Sequence, residues 1–317
     1  MLKADPWDPA SGAGAEMPFE DEDAPVVDPD VETSRWSEAL LPQTGQPEPV
    51  TFVDGVMRID LRVLAYDDER RGWGLLGSFA AGGVTCDGVA HFAAEDEPVG
   101  RTLIIGGRLA ADPMVLDAGG CRLVYKPRSI ADDSPTVQRR VLQRLMLEAE
   151  QRMAVRLAGD TLVFADGPLH INTATDLSVV GVVKRMVTAY LHGEHAALLP
   201  RLQPGERSPV FALGNTVLDR YAWYQRLVPL DATWHELAAL VRCEVRMELG
   251  RERACEIADR TAWLLPKFAS RPGIEPRAPQ NLTPVGALEG RLRHRLGNAT
   301  VIRRALRVRL AEEANDE

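Results

Sequence analysis

Residues 50–65 read V-T-F-V-D-G-V-M-R-I-D-L-R-V-L-A, a run of β-branched and other apolar residues that is typical of a strand. An Asp-Asp pair at 67–68 marks the turn after this run, and the segments 74–84 and 88–94 also have strand character. Because only short turns separate the three segments, we expect them to form an antiparallel meander.

The elements after this meander indicate the fold class. Ser134 followed by Pro135 is a helix-start signal, and the helix is predicted to run to about Leu157. The apolar segment 161–165 then has the length of a buried central strand. This order is typical of ribonuclease H-like domains, so we expect an α/β fold with a mixed sheet, flanking helices and a helical C-terminal region. Further strands are predicted at 177–183, 209–213, 220–228 and 238–247, and further helices at 195–202, 250–264, 284–296 and 300–313.

Composition divides the chain in two. Hydrophobic residues make up 45% of the 317 residues, which excludes a wholly disordered chain. Twelve acidic residues, only two basic residues and eight of the 22 prolines fall within the first 50 positions. Such a segment buries too little apolar surface to offset its ordering entropy. We therefore expect residues 1–49 to be a mostly disordered acidic tail and residues 50–317 to form the folded domain.

Several classes of protein are excluded by what the sequence lacks. It has no apolar run of about 18 residues, which a membrane-spanning helix would need. Its first residues also lack the basic segment followed by an apolar segment that is typical of an export signal. The four cysteines are far apart and form no C-x-x-C pair, so neither a zinc ribbon nor a disulfide framework is indicated. We expect a cytoplasmic protein that does not contact a membrane.

The C-terminal region is basic. Seven arginines and no acidic residue occur in 290–311, interleaved with apolar residues at helical spacing. The pattern has two interpretations, a solvated face or a surface for the phosphate backbone of a nucleic acid. Under the second interpretation Arg303, Arg304 and Arg307 guide a nucleic-acid strand, although they can instead face a second copy of the chain.

Two aspartates lie in apolar strand segments. Asp54 occurs in F-V-D-G-V and Asp166 in V-F-A-D-G-P-L. A carboxylate in such a run is costly to bury unless it is paired or bound to a cation. The alternative is a strand-end turn, since Asp-Gly is a common hairpin dipeptide. Together the two positions favour a site for Mg²⁺ or Mn²⁺, which take oxygen ligands and support phosphodiester cleavage.

A third carboxylate is expected from the helix before Asp166. Glu148 and Glu150 flank the apolar stripe on either side, so periodicity does not choose between them. We prefer Glu148 because the next strand begins beyond a short loop, with Glu150 as the alternate. Lys184 ends the strand after Asp166 and can stabilise charge on a phosphate, or it is simply a solvated lysine.

Six motifs in this order resemble the NurA nuclease family, particularly its bacterial branch. The resemblance covers roughly residues 50–310 and implies a ribonuclease H-like fold and a toroidal homodimer. It further implies Mn²⁺-dependent single-strand endonuclease and 5′-to-3′ exonuclease activity, in DNA end resection with the hexameric HerA translocase, an ATPase. The motifs are F-V-D-G-V (52–56), F-A-D-G-P-L (164–169), G-V-V-K (181–184), W-Y-Q-R-L (223–227), V-R-C-E (241–244) and A-P-Q-N-L-T-P-V-G-A-L-E (278–289).

The resemblance assigns roles to individual residues. Asp54, Asp166 and Glu148, or else Glu150, match the family's metal-binding carboxylates, and Lys184 matches the lysine that closes the next strand. The chain departs from the family pattern at two positions, with Val56 in place of a hydroxyl residue and Pro168 where serine is frequent. Archaeal relatives use a tyrosine and a histidine in the C-terminal half. Tyr224 is a counterpart of that tyrosine and a candidate contact to nucleic acid, whereas no histidine aligns and Gln280 and Asn281 lie near that point.

The sequence therefore predicts a metal-dependent DNA nuclease in which Asp54, Glu148 and Asp166 bind Mn²⁺ or Mg²⁺ and Lys184 acts on the phosphate. One alternative is a non-catalytic module that assembles with a translocase. Another is a ribonuclease H-like enzyme that cleaves RNA.

Overall fold

The part of the chain that the structure describes is most of the predicted domain and a section of the predicted tail. The structure is a computed structural model, and it describes residues 2–4, 25–42, 45–67, 70–93, 97–159, 161–169, 177–184, 188–215, 218–231, 234–271 and 278–316.

Eight of the described strands precede α1, and the last three described α-helices follow the last described strand. The strands are β1 (Leu2–Ala4), β2 (Val26–Asp28), β3 (Val50–Asp67), β4 (Arg70–Asp87), β5 (Val89–Phe92), β6 (Gly100–Ile105), β7 (Met114–Ala118), β8 (Cys121–Ser129), β9 (Leu162–Asp166), β10 (Val179–Val183), β11 (Phe211–Gly214), β12 (Arg220–Arg226) and β13 (Leu240–Arg246). The α-helices are α1 (Pro135–Leu157), α2 (Gly193–Ala197), α3 (Arg251–Leu264), α4 (Thr283–Arg295) and α5 (Ala299–Asp316), and short 3-10 helices occur at Leu199–Arg201, Met247–Leu249 and Leu265–Phe268.

One mixed sheet runs through the described residues. Its strand order is β2-β11-β12-β13-β10-β9-β3-β4-β6-β8-β7, with β1 paired to β3 and β5 paired to β4. At the centre, β6, β4 and β3 are antiparallel neighbours, whereas β9 and β10 run parallel to β3. The central order β6-β4-β3-β9-β10, with α1 leading into β9, is ribonuclease H-like. The predicted α/β fold with a mixed sheet, flanking helices and a helical C-terminal region is confirmed.

The predicted meander is only part of the pairing around β4. The segment predicted at 88–94 does pair antiparallel with β4, as the short strand β5. However, β6 pairs with the other half of β4 and is the third strand of the central sheet. Both β5 and β6 can pair along the same side of β4 because β4 is 18 residues long.

Helix α1 covers one face of the sheet, and α3, α4 and α5 cover the other. Ser134 caps α1 as predicted, since its Oγ accepts a hydrogen bond from the Val137 backbone N–H at 3.4 Å. Met153 of α1 packs against Val53 of β3, while Leu288 of α4 packs in a cluster with Phe52 on the opposite face. Successive strand residues therefore face different helices. Within the described residues, no helix has the length and apolarity that crossing a membrane requires.

A bulge in β3 changes which residues face the α4–α5 layer. The pairing between β3 and β4 shifts between Ile59 and Leu61, which leaves Asp60 as the extra residue. Before the bulge, even-numbered residues such as Phe52 face α4; after it, odd-numbered residues such as Leu61 pack with Leu306 of α5. One strand thus serves both C-terminal helices.

The carboxylate of Asp60 anchors a buried polar network, which we call the Asp60 network. Asp60 is 2% exposed and accepts hydrogen bonds from Arg58 Nε at 2.7 Å, Tyr125 Oη at 2.8 Å and Ser78 Oγ. Arg101 lies 3.9 Å from the same carboxylate. The two arginines also donate to backbone carbonyls at the end of α4, namely those of Gly297 and Leu296. The network therefore fixes α4 against β3.

Part of the predicted acidic tail packs on the sheet. Residues 26–28 form β2, which pairs with β11 and is the last strand at that end of the sheet. Trp36 is buried at 5% exposure, and Glu32 forms two hydrogen bonds with the buried guanidinium of Arg207 at 2.7 and 2.8 Å. Within the predicted tail, residues 5–24 and 43–44 lie outside the described ranges. Local charge and proline content did not reveal these contacts because their partners are far away in the sequence.

Candidate functional site

Strands β3 and β9 bring Asp54 and Asp166 together. The two strands are parallel, and Val53 pairs with Ala165, so the next residue of each strand is an aspartate in matching register. Both aspartates point to the α4 face, because Phe52 and Phe164, two positions earlier, pack in the cluster with α4. The sequence placed both carboxylates on apolar strands, and the parallel register accounts for their proximity.

Helix α4 adds a third carboxylate, from Glu289. This residue is 6% exposed and lies on the buried stripe of α4 with Val285 and Leu292. One carboxylate oxygen from each of Asp54, Asp166 and Glu289 lies within 4.8 Å of the others. We call these three residues the acidic cluster. Oxygen atoms at this spacing are suited to surround one divalent cation.

A fourth carboxylate approaches from the opposite face of the sheet. Glu150 on α1 is 8% exposed, and it reaches Asp54 across the position of Gly55. A Cβ atom at Gly55 would lie 2.9 Å from the Cγ atoms of Glu150 and Met146. The absence of a side chain at Gly55 therefore allows Glu150 to approach β3 beside the acidic cluster.

Lys184 and Asn281 complete the site. Lys184 Nζ lies 2.8 Å from Asp166 Oδ1 and donates a hydrogen bond to Asn281 Oδ1 at 2.7 Å. Asn281 is 1% exposed, and its Nδ2 has no hydrogen-bond partner within the described ranges. The lysine is thus held beside the carboxylates, with a buried amide donor next to it.

The loop after Asp166 lies directly on β10. Gly167 has a φ of +97°, and the Gly167 N–H donates to the Val182 carbonyl at 2.9 Å. A Cβ at Gly181 would meet Leu169 N at 2.9 Å, so glycine is required there for the loop to lie so close. Leu169 N also donates to the buried Glu244 at 3.2 Å. These contacts fix the backbone that carries Asp166.

The site concentrates negative charge on two buried carboxylates, Asp54 and Glu289, and on the half-buried Asp166. Burial raises the pKa of Asp54 well above its usual range, and the charges of Asp166 and Glu289 add to the shift while Lys184 opposes it. Burial, together with the charges of Asp54 and Asp166, also raises the pKa of Glu150 well above its usual range. Asp54 Oδ2 is buried and has no hydrogen-bond partner among the described residues. A bound cation would offset this repulsion and give that oxygen a partner.

The structure separates the predicted site residues into two groups. It brings Asp54, Asp166 and Lys184 together, and Glu150, the alternate third carboxylate, lies beside them. Glu148, the preferred choice, is exposed on the other side of α1 and lies outside the acidic cluster. The packing of α1 decides between them, because the side of the helix that carries Met146 and Met153 faces β3 and Glu150 lies on that side.

Tyr224 is not placed to contact nucleic acid. Its side chain is 2% exposed, and its ring stacks on Phe211 with the ring centroids 5.7 Å apart. It belongs to an apolar cluster with Trp36, on a different part of the sheet from the acidic cluster. This burial corrects the expectation that Tyr224 binds a nucleic-acid strand.

The arginines of α5 differ in exposure. Arg304 and Arg307 are exposed, whereas Arg303 is half-buried and donates to the Asp60 carbonyl at 3.4 Å. Arg303 therefore holds α5 on β3, and only the other two are fully available to a partner.

Sequence reasoning missed Glu289 and gave Asn281 no role. Glu289 follows Val285 by four residues and precedes Leu292 by three, so a carboxylate on an apolar helical stripe was the available signal. Asn281 had no comparable signal, because its contact with Lys184 joins positions 97 residues apart.

Replacing Gly55 by alanine is expected to destabilise the fold by about 1–3 kcal/mol, the usual cost of overpacking. The new methyl group would press on Glu150 and Met146 near the helix backbone, where neither side chain can move freely. Urea unfolding would measure the loss. Gly214→Ala in β11 is the matched control, since its Cβ would meet only Val26 O at 3.9 Å. Equal unfolding midpoints for the two variants would contradict the close packing at Gly55.

A scan of the chain against protein-family models finds no match, and a search of curated proteins finds no significant match. Among solved structures, the chain is similar to the crystal structure of the NurA nuclease from Sulfolobus solfataricus. The sequence identity is 12% and the TM-score 0.40, and the alignment covers 73% of this chain and 78% of that chain.

Proposed function

We propose that the chain is a metal-dependent nuclease that hydrolyses phosphodiester bonds in DNA. One observation carries the proposal. Oxygens of Asp54, Asp166 and Glu289 lie within 4.8 Å of one another, with Asp54 and Glu289 buried, so that their charges repel. Such an arrangement is costly in a folded protein unless it serves to bind a cation.

The residues fit a divalent cation of the hard class. The available ligands are carboxylate oxygens, which Mg²⁺ and Mn²⁺ prefer, and Asp54 Oδ2 is buried without a partner in the described part of the chain. Asp54, Asp166 and Glu289 would hold the cation, with Glu150 adjacent. When bound, cations of this type stabilise charge on phosphoryl oxygens and make water a better nucleophile at neutral pH.

Lys184 and Asn281 would act on the phosphate. The Lys184 ammonium group is 2.8 Å from Asp166 and is held by Asn281, so its position is fixed before a substrate arrives. A preorganised cation beside the reacting phosphate stabilises the charge that develops there. The Nδ2 of Asn281, buried without a hydrogen-bond partner among the described residues, is a second donor next to Lys184.

The finer features of the proposal derive from the sequence motifs. We propose single-strand endonuclease and 5′-to-3′ exonuclease activity with Mn²⁺, or with Mg²⁺, in the resection of DNA ends. The proposed assembly is a homodimer that works with a hexameric HerA-type ATPase. The exposed Arg304 and Arg307 of α5 supply positive charge for the DNA backbone.

Two glutamates two positions apart on α1 provide the test. Glu150→Gln is expected to lower the rate of cleavage of labelled single-stranded DNA in Mn²⁺ by at least about 10-fold, because it removes a charge next to the acidic cluster. Glu148→Gln, the matched control, should cleave at the wild-type rate because this side chain is exposed. Gel analysis of products over time measures both rates.

Each outcome has a defined meaning. No divalent-ion-dependent cleavage by the wild-type protein would overturn the proposal, and so would equal loss in the two glutamine variants. Preferential cleavage of an RNA of matched sequence would replace DNA by RNA as the substrate while leaving the metal site in place.

A further inference from the structure

An aromatic side chain is exposed at the sheet edge beside the acidic cluster. Phe92, the last residue of β5, is 41% exposed, and all four residues of this short strand are exposed. Single exposed hydrophobic residues are common on protein surfaces, so the position of Phe92 relative to the acidic cluster and to Arg291 is what indicates a binding role.

The strand register places Phe92 on the same face of the sheet as Asp54. Phe92 pairs with Val84 of β4, and Val84 pairs with Phe52 of β3. Directly paired residues share a face, and Asp54 follows Phe52 by two positions, so all of them face α4. Strand spacing then puts the Cα atoms of Phe92 and Asp54 about 12 Å apart. One or two nucleotides of an extended strand span this distance.

Helix α4 connects the ring to the acidic cluster from above the sheet. The guanidinium carbon of Arg291 lies 4.8 Å from the centroid of the Phe92 ring. Arg291 is itself exposed and follows Glu289 of the acidic cluster by two residues. Seven arginines and no acidic residue occur in 290–311. The chain is therefore basic from the second half of α4 into α5, directly after Glu289. An exposed ring and an adjacent guanidinium are the groups that bind the bases and phosphates of single strands.

We propose that Phe92 and Arg291 form a subsite for one nucleobase of a single strand, one or two nucleotides from the phosphate at the acidic cluster. The inference rests on the proposed nuclease function and adds to it. The Phe92 ring stacks on the base, and Arg291 binds the flanking phosphate and orients the ring. Stacking tolerates every base, so the subsite selects unpaired strands rather than a sequence.

Binding without cleavage tests the subsite. Fluorescence anisotropy in EDTA at low salt would give the Kd of the full-length protein for a labelled single-stranded oligonucleotide. Phe92→Ala should raise this Kd between about 5-fold and about 150-fold, the range for loss of one base–aromatic stack. Phe92→Trp should preserve the affinity. Val89→Ala is the matched control, because Val89 is 64% exposed on the opposite face of the same strand.

An abasic oligonucleotide distinguishes the loss of base stacking from structural damage to β5. If Phe92 stacks on a base, the effect of Phe92→Ala disappears on the abasic strand. An equal loss on both oligonucleotides, no loss on either, or undetectable binding by the wild-type protein would overturn the subsite. A change of oligomeric state in Phe92→Ala on light scattering would also overturn it, because a second copy of the chain would then cover the ring. DNA binding that depends on Phe92 without any cleavage would retain the subsite and reject the nuclease.

Discussion

Asp54→Asn is expected to abolish divalent-ion-dependent cleavage and, at the same time, to make the metal-free protein more stable at neutral pH. Activity should fall by more than about 100-fold, because changing a group that only supports a metal ligand already costs about 10- to 100-fold. Asp54 is placed as a ligand itself, and asparagine keeps its size while removing the charge.

The gain in stability follows from the direction of the pKa shift. Burial and the neighbouring carboxylates raise the pKa of Asp54 in the folded state above its value in the unfolded chain. Such a group contributes stability at low pH that is lost as the pH rises through the raised pKa. In metal-free wild-type protein, stability should therefore decline between acidic and neutral pH. The variant should show a shallower decline, because it has no charge at this position.

Thermal unfolding in EDTA and in Mn²⁺ across pH 4–8 measures the change in stability, and the gel assay measures the loss of cleavage. A bound cation stabilises the wild-type protein by about 2.7 kcal/mol at 100 times its Kd, and the variant should lose most of this gain. Asp67→Asn on the same strand, where Asp67 forms an exposed ion pair with Arg70, should change neither property. A variant that keeps wild-type cleavage, or that Mn²⁺ stabilises as much as wild type, contradicts the metal site.

Asp60→Ala is expected to lower the free energy of unfolding by about 3–5 kcal/mol, the usual cost of removing one partner of a buried ion pair. Loss of this carboxylate leaves Arg58 and Arg101 without their shared counter-charge, and the buried hydroxyl groups of Tyr125 and Ser78 without their acceptor. The same arginines hold the end of α4, so the helix that carries Glu289 should also loosen.

Urea unfolding measures the loss, and two variants calibrate it. Asp67→Ala, which breaks an exposed aspartate–arginine pair on the same strand, should cost less than about 1 kcal/mol. Ser78→Ala removes one donor of the Asp60 network and should cost about 1 kcal/mol. If Asp60→Ala were no more destabilising than Asp67→Ala, the Asp60 network would not be what secures α4.

Much of the fold was accessible to sequence reasoning because its signals are local. Ser134 and Pro135 mark the start of α1, and the apolar segment at 161–165 marks β9 within one residue. The N-terminal strand β2 gave no such signal. It has only three residues, it pairs with β11, and Arg207 holds the nearby Glu32; both partners are about 180 residues away in the sequence.

The candidate site was predicted only in part, because only some of its residues stand out from their sequence neighbours. Aspartates on apolar strands stand out against their neighbours, and this contrast identified Asp54 and Asp166. On α1, periodicity left Glu148 and Glu150 equivalent and the choice of Glu148 relied on loop length, whereas the structure buries Glu150 and exposes Glu148. Glu289 has the same spacing signal in α4, but only the folded structure brings its helix over β3.

The position of Glu289 on α4 has a consequence during protein synthesis. The acidic cluster draws its carboxylates from residues 54, 166 and 289 of a 317-residue chain, and the amide that holds Lys184 is residue 281. The central strands all precede α4 in the chain, so a nascent polypeptide can assemble them before α4 leaves the ribosome. The proposed metal site is therefore incomplete until α4 has been synthesised and has packed on β3.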